Sequence, residues 1–216
     1  MIVTDSVSTY LKRTRMPPDP VLAEMEAHAA RDGIPVIVPE TGQLLQVLAL
    51  ASGARRAVEV GTAIGVSALY TARGLAPGGS IVSFEIDPER HAAARGYLAR
   101  AGVGDRADLR LQDAREGIAA IEGAFDFDFA FVDGLKTQYG DYFDELLPRL
   151  APGAVLAVDN SLMSGAVAEG RGDDIWTDQQ VSDARAFNQR LLAHPELVGT
   201  LTPVGDGVLV AVKREA

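Results

Sequence analysis

The sequence predicts an α/β fold: a mostly parallel sheet covered by helices on both faces and closed at one edge by an antiparallel hairpin. Three observations carry this. Short apolar runs alternate with helix-patterned segments from Ala57 to Asn160, the signature of parallel strands joined by helical crossovers. Five of these runs end beside an acid: Glu59, Glu85, Asp113, Asp133 and Asp159. Two further runs flank Gly205-Asp206-Gly207, a hairpin turn signal.

The elements follow in order. Residues 5–16 and 20–32 read as two helices, separated by Pro17-Pro18-Asp19-Pro20. Residues 40–52 read as a third; the nearly continuous run Leu44, Leu45, Val47, Leu48, Leu50 predicts a well-buried helix. Ala57–Val60 is a short strand that runs into Gly61, and a helix is expected from about Val66 to Gly74. Ser80–Phe84 is the next strand, and Asp87-Pro88-Glu89 opens a helix with an Asp cap, Pro at the first position and an acid in the first turn. Leu109–Leu111 is a weak strand, Phe127–Val132 and Ala154–Val158 are stronger ones, residues 178–193 read as a helix, and 197–203 with 208–212 form the hairpin. The whole, 1–216, reads as one domain, with N-terminal helices over 1–52 and an α/β core over 53–216.

Bulk properties narrow the function. A length of 216 residues and a hydrophobic fraction of 47% suit one domain with a full core. The net charge of −10 argues against nucleic-acid binding, which rests on Lys and Arg at phosphates. The chain has no cysteine, which removes disulfides, thiolate metal sites and a Cys nucleophile. His28, His91 and His194 lack zinc-ligand spacing. Met1 to Asp5 shows no basic segment leading into an apolar run, and no stretch would span a bilayer, so the expectation is a cytoplasmic protein with no membrane partner.

In open α/β sheets, ligands sit outside the carboxyl ends of the strands, where the acids collect. Glu59-Val-Gly61-Thr-Ala-Ile-Gly65-Val-Ser67 is a strand–turn–helix glycine motif. Its spacing is not that of the dinucleotide fingerprint, and a carboxylate at Glu59 would repel a pyrophosphate but attract an ammonium or sulfonium ion. S-adenosyl-L-methionine (SAM) carries both cations. Glu85, at the end of the next strand, can accept the ribose hydroxyls; Asp113-Ala114 would lie beside the adenine. Ser67 and the nearby backbone N–H groups can hold a carboxylate. The bland alternatives are a buried Glu59 paired with Arg55 or Arg56, and an ordinary exposed acid at Glu85.

Asp133 and Asp159-Asn160 follow the fourth and fifth strands. Adjacent strands lie about 4.8 Å apart, so these ends can converge. Two carboxylates and an amide oxygen form a hard oxygen half-shell suited to Mg²⁺, with Ca²⁺ or Mn²⁺ possible. Taken singly, Asp133 could be a helix cap and Asp159-Asn160 a plain turn.

Taken together, Val58-Glu59-Val60-Gly61-Thr62 with Gly65 and Ser67, Phe84-Glu85-Ile86-Asp87-Pro88, Phe131-Val132-Asp133 with Lys136 and Tyr139, Ala157-Val158-Asp159-Asn160 with Gly165, and Pro203-Val204-Gly205-Asp206-Gly207 resemble the cation-dependent O-methyltransferases, the family of catechol and caffeoyl-CoA O-methyltransferases and their bacterial relatives. The likeness covers roughly residues 35–213. It implies a Rossmann-like SAM-methyltransferase fold with a seven-stranded sheet, a small phenolic substrate and a homodimer. It implies Asp133, Asp159 and Asn160 as metal ligands, Lys136 with Asp133 at the reaction, and Glu59, Gly61, Ser67, Glu85, Asp113, Ala114 and Asp133 at the cofactor. Lys136 would act as general base, a role that needs its neutral amine; otherwise it is a solvated helix lysine.

The chain departs from the family at Leu162-Met163-Ser164, where many relatives have an aromatic residue. Residues 163–176, with Trp176, read either as a flexible lid or as a surface insertion. Methyl transfer to another acceptor class, or non-catalytic nucleoside binding on the same fold, are the competing readings.

Overall fold

Residues 4–121 and 127–215 are described in the computed structural model. The first residues, read above for a leader, lie partly outside that range. The strands are β1 (Arg56–Val60), β2 (Ser80–Glu85), β3 (Ala107–Leu111), β4 (Phe127–Val132), β5 (Leu150–Val158), β6 (Leu197–Thr202) and β7 (Val208–Lys213). They form one sheet in the order β3-β2-β1-β4-β5-β7-β6. β1 pairs in parallel with both β2 and β4, and β7 runs antiparallel to β5 and β6.

The fold class expected from the sequence is the one observed. The strands read as continuous apolar runs because both faces are covered. On β4, Phe129 and Phe131 enter one core while Ala130 and Val132 enter the other. The first core is roofed by α2 (Pro20–Asp32), α3 (Pro39–Ser52), α4 (Val66–Gly74) and α5 (Pro88–Arg100). The second is roofed by α6 (Ala114–Ala119), α7 (Tyr139–Leu146) and α9 (Asp178–Leu192). α1 (Asp5–Thr14) buries no residue, and the short α8 (Ala166–Glu169) packs with α9 in a small third cluster.

The start signal at Asp87 acts as read, and two further caps appear that the sequence reading did not name. Asp19 caps α2 and Asp87 caps α5, each accepting two backbone N–H bonds ahead of a Pro. Thr177 and Gln180 form a reciprocal capping box on α9.

Three readings are corrected. α3 is not wholly buried: Val47 is 60% and Leu50 67% exposed, because only the Leu45–Ala49 stripe meets the sheet. The sequence reading placed no helix at α6 or α7, since each is short and opens among polar residues. Residues 163–176 do not form an open loop; a 3-10 turn and α8 fill the first part and bury Met163, Ala166 and Val167. No helix among the described residues is long and apolar enough to cross a membrane.

Candidate active site

The strand order reverses between β1 and β4, and this crevice is where open α/β sheets bind ligands. The chain runs very close to itself here. Gly61 has φ +90°, and a Cβ on it would lie 2.2 Å from the Asp133 carbonyl oxygen. Only glycine fits, on both backbone conformation and space. The ladder continues past the strand ends: Asp133 N donates to Val60 O at 2.9 Å and Asp159 N to Val132 O at 3.0 Å. Neighbouring strand ends therefore deliver Gly61, Asp133 and Asp159 side by side.

A cavity of about 500 Å³ opens above them. Of the residues singled out in the sequence, Gly61, Glu85, Asp113, Ala114, Asp133, Lys136, Asp159 and Asn160 line it. Glu59 and Ser67 do not; they lie buried behind its floor.

Glu59 is fully buried. Ser83 Oγ donates to its Oε2 at 2.5 Å, while Oε1 has no partner of ordinary geometry. Burial pushes its pKa from 4.5 to about 7, against the Ser83 and Ser67 hydroxyls, which pull it back; the charges of Asp133 and Glu85 add to the rise. The pairing with Arg55 or Arg56 is not found, since those residues hold Asp128 at the opposite end of the strand through their backbone N–H groups. The Ser67 hydroxyl thus lies against Glu59.

Glu85 is a fixed acceptor. Ala63 N donates to its Oε2 at 2.7 Å, and Ile86 N and Asp87 N donate to Oε1 at 2.9 Å. Next to it, Ile86 stands 65% exposed on the cavity wall. Asp113 is already engaged: it caps α6 through Arg115 N and pairs with the Arg115 guanidinium, which holds its carboxyl below the usual range.

At the other end, Asp159 Oδ1 is buried without a partner, and burial together with the Asp133 charge raises its pKa from 3.8 to about 7. Lys136 Nζ donates to Asp133 Oδ1 at 2.7 Å and Gly134 O at 3.1 Å. Asn160 sits at φ +55°, and its Nδ2 donates to Asp206 Oδ2 at 3.4 Å, so its amide oxygen is the atom that could accept a hydrogen bond or ligate a cation. The turn is held from below: Tyr139 OH donates to Asp159 O at 3.2 Å, and Asn188 Nδ2 to Ser161 O at 2.7 Å. Among the described residues no group of three or more His, Cys, Asp or Glu side chains could hold a metal; the candidate donors here are two carboxylates and an amide.

The sequence reading missed several wall residues. Pro35 to Val38 and Thr41 reach the cavity from the segment entering α3, and Asp206 from the hairpin turn. The turn was noted as a motif, but nothing local said that Gly205 would seat against Thr41 and aim Asp206 inward.

A doubly covered sheet with an acid-lined crevice at its switch point defines an α/β protein whose ligand site lies at the carboxyl rim of the sheet. The chain belongs to the O-methyltransferase family: that family's profile matches residues 16–214. It is 32% identical over 221 residues to a catechol O-methyltransferase of Niastella koreensis, covering 98% of each chain. It is 35% identical over 178 residues to tricin synthase 2 of rice; this match covers 79% of the chain but only 60% of that relative's length. Among solved structures, an O-methyltransferase of Bacillus cereus in complex with SAH superposes with a TM-score of 0.85 at 30% identity, covering 97% of both chains. The O-methyltransferase TomG of Streptomyces achromogenes, in complex with SAM, gives 0.84 at 29% identity over 97% and 96%.

Proposed function

We propose that the chain transfers the sulfonium methyl of SAM to a phenolic, catechol-like hydroxyl of a small molecule, in a reaction that needs a divalent cation. The observation that carries this is the convergence of Asp133, Asp159, Asn160 and Lys136 at one end of a cavity whose other end presents Glu85 and Ile86. The SAM- and SAH-bound structural relatives support the cofactor.

The residues fit a cation. Asp159 is a buried carboxyl with an orphaned oxygen beside a second acid; such a pair is stable ionised only against positive charge. Asp133, Asp159 and Asn160 would hold Mg²⁺, or Ca²⁺ or Mn²⁺, through hard oxygens. Such an ion supplies Lewis acidity to a hydroxyl that it ligates.

The remaining steps belong to the chain. Glu59 places a buried carboxylate where the cofactor's ammonium would compensate it. Glu85 accepts the ribose hydroxyls, Ile86 offers an apolar face to the purine, and Ala114 closes the far wall. Lys136 Nζ, 2.7 Å from Asp133 Oδ1 at this end of the cavity, is the group placed to take the acceptor's hydroxyl proton. The oxygen then forms a bond to the methyl carbon as the carbon–sulfur bond breaks, leaving SAH. Opposite charges cancel in this step, so holding oxygen, methyl and sulfur in line supplies much of the rate. We also propose a homodimer, with the exposed Val47 and Leu50 of α3 as its apolar contact.

The test is a panel of catechols with SAM, run with Mg²⁺ and with EDTA. Methylation that requires Mg²⁺ supports the reading. Failure to bind SAM, or methylation that survives EDTA for every active acceptor, refutes it.

A further inference from the structure

The hairpin turn between β6 and β7 fastens the segment that follows β5. That segment is strained. Asn160, Met163 and Ser164 have φ of +55°, +45° and +53°, conformations that residues with a side chain hold only where their surroundings impose them. Burial holds one of them: Met163 is fully buried in a cluster with Val167 and Val181, on which Trp176 of the cavity wall packs. The hairpin holds the rest. Ser161 N donates to Gly207 O at 2.8 Å, Leu162 N to Asp206 O at 3.1 Å, and Leu209 N to Ser161 Oγ at 3.3 Å. The two turns touch closely, since a Cβ on Gly207 would lie 2.5 Å from that of Leu162.

Asp206 has a side chain that its own turn does not need. An Asp in a turn commonly bonds the backbone near it. Here the backbone closes the turn itself, with Gly207 N donating to Val204 O at 2.9 Å. The Asp206 carboxylate instead lines the cavity and reaches the segment after β5. Its Oδ1 accepts from Ser164 Oγ at 2.5 Å and its Oδ2 from Asn160 Nδ2 at 3.4 Å. These partners lie 42 and 46 positions away in the chain.

The division of its two oxygens has a chemical consequence. A carboxylate only accepts, so it meets the Asn160 amide through the NH₂ end. The carbonyl oxygen of that amide is thereby turned the other way. Unheld, the terminal torsion of an Asn side chain is broad and nearly two-fold, so nitrogen and oxygen exchange places at little cost. Ser164 pins the carboxylate in turn, and the orientation passes along three side chains, from Ser164 through Asp206 to Asn160.

We infer that Asp206 is a positioning residue: it orients the Asn160 amide so that oxygen, not nitrogen, is offered to a divalent cation held with Asp133 and Asp159. This rests on the metal reading of the site and deepens it.

The test reads ion binding without turnover, as the Mn²⁺ Kd taken from the electron spin resonance signal of the free ion, with SAH bound. Asp206→Ala frees the amide and should raise that Kd at least about tenfold, the usual share of an outer partner that orients a ligand. Asp206→Asn should bring it back to within about threefold of the parent, because its amide can accept from Asn160 through oxygen and donate its own NH₂ to Ser164 Oγ. Orientation acts only through Asn160, so in an Asn160→Ala background Asp206→Ala should add less than about twofold. The SAH Kd and melting temperature of each variant report whether the site is folded. If Asp206→Ala does not bind SAH, Ser164→Ala takes its place; it unpins the carboxylate, leaves the backbone bonds of both turns, and should raise the Mn²⁺ Kd about threefold or more. The inference is overturned if the folded variant binds Mn²⁺ like the parent, or if the alanine effect persists in full without Asn160. It is also overturned if Asp206→Asn binds as weakly as Asp206→Ala, which would make Asp206 a ligand or a charge and not an orienting group. A parent that binds SAH but no Mn²⁺ removes the metal reading itself, and this inference with it.

Discussion

Glu59→Gln separates the demands of stability from those of function. Glu59 is fully buried, with a pKa raised from 4.5 to about 7 chiefly by desolvation. A carboxyl raised in this way is favoured by the fold in its protonated form. Its contribution to stability is therefore complete below pH 4.5 and is lost as the pH rises through about 7. At 1.36 kcal/mol per unit, the ionised side chain costs the ligand-free protein about 3 kcal/mol at pH 8. Glutamine keeps the shape and can still accept from Ser83 Oγ, but carries no charge. The ligand-free Glu59→Gln protein should thus melt higher than the parent at pH 8, by up to roughly 6–12 °C for a domain of this size, and nearly level with it at pH 5. SAM affinity should fall at least thirtyfold, because the group opposing the ammonium is gone. Thermal denaturation followed by circular dichroism at pH 5 to 8, with EDTA present, gives the first quantity; calorimetric titration with SAM gives the second. A variant that melts lower at pH 8 and binds SAM like the parent would show that Glu59 is a structural acid already satisfied by its serines, and the cofactor argument would lose its first support.

Three more outcomes follow from the same geometry. Lys136→Ala should lower kcat at least a hundredfold while leaving SAM Kd within threefold, and Asp159→Ala should abolish Mg²⁺ binding by calorimetry with SAM still bound; equal turnover in either variant would remove the residue from the reaction. Asn188→Ala deletes the buried donor to Ser161 O, so it should cost about 1–3 kcal/mol in denaturant unfolding and weaken Mg²⁺ binding by loosening the Asp159-Asn160 turn; a stability loss with unchanged Mg²⁺ affinity would confine Asn188 to packing. Light scattering at micromolar concentration should give twice the chain mass for the parent and a smaller species for Leu50→Glu, and a monomeric parent would remove the dimer.

Much of the molecule was legible in its sequence because the signals are local. An apolar run between polar breaks is a strand wherever it folds, and Asp87-Pro88-Glu89 starts a helix through bonds that reach only three residues. The acids at the strand ends were legible for a topological reason: in a parallel sheet the carboxyl ends share one rim, so Glu85, Asp133 and Asp159 were bound to meet. Gly61 could be picked out from its motif, although its reason, the Asp133 carbonyl against its Cα, is a contact across 72 positions of chain.

Side-chain direction and partnership could not be read this way, because they depend on packing between distant segments. The sequence counted five equivalent acids. The fold made them unequal: Glu59 buried behind the floor, Glu85 clasped by three N–H groups, Asp113 spent on Arg115, Asp133 shared with Lys136, and Asp159 left with an orphaned oxygen. It also brought in Asp206 and Trp176 from loops whose residues carry no periodicity. Sequence alone determined the sheet and the rim on which the chemistry collects. Only the tertiary structure decided which of those groups remain free to act, because burial and hydrogen-bond satisfaction are properties of the packed whole.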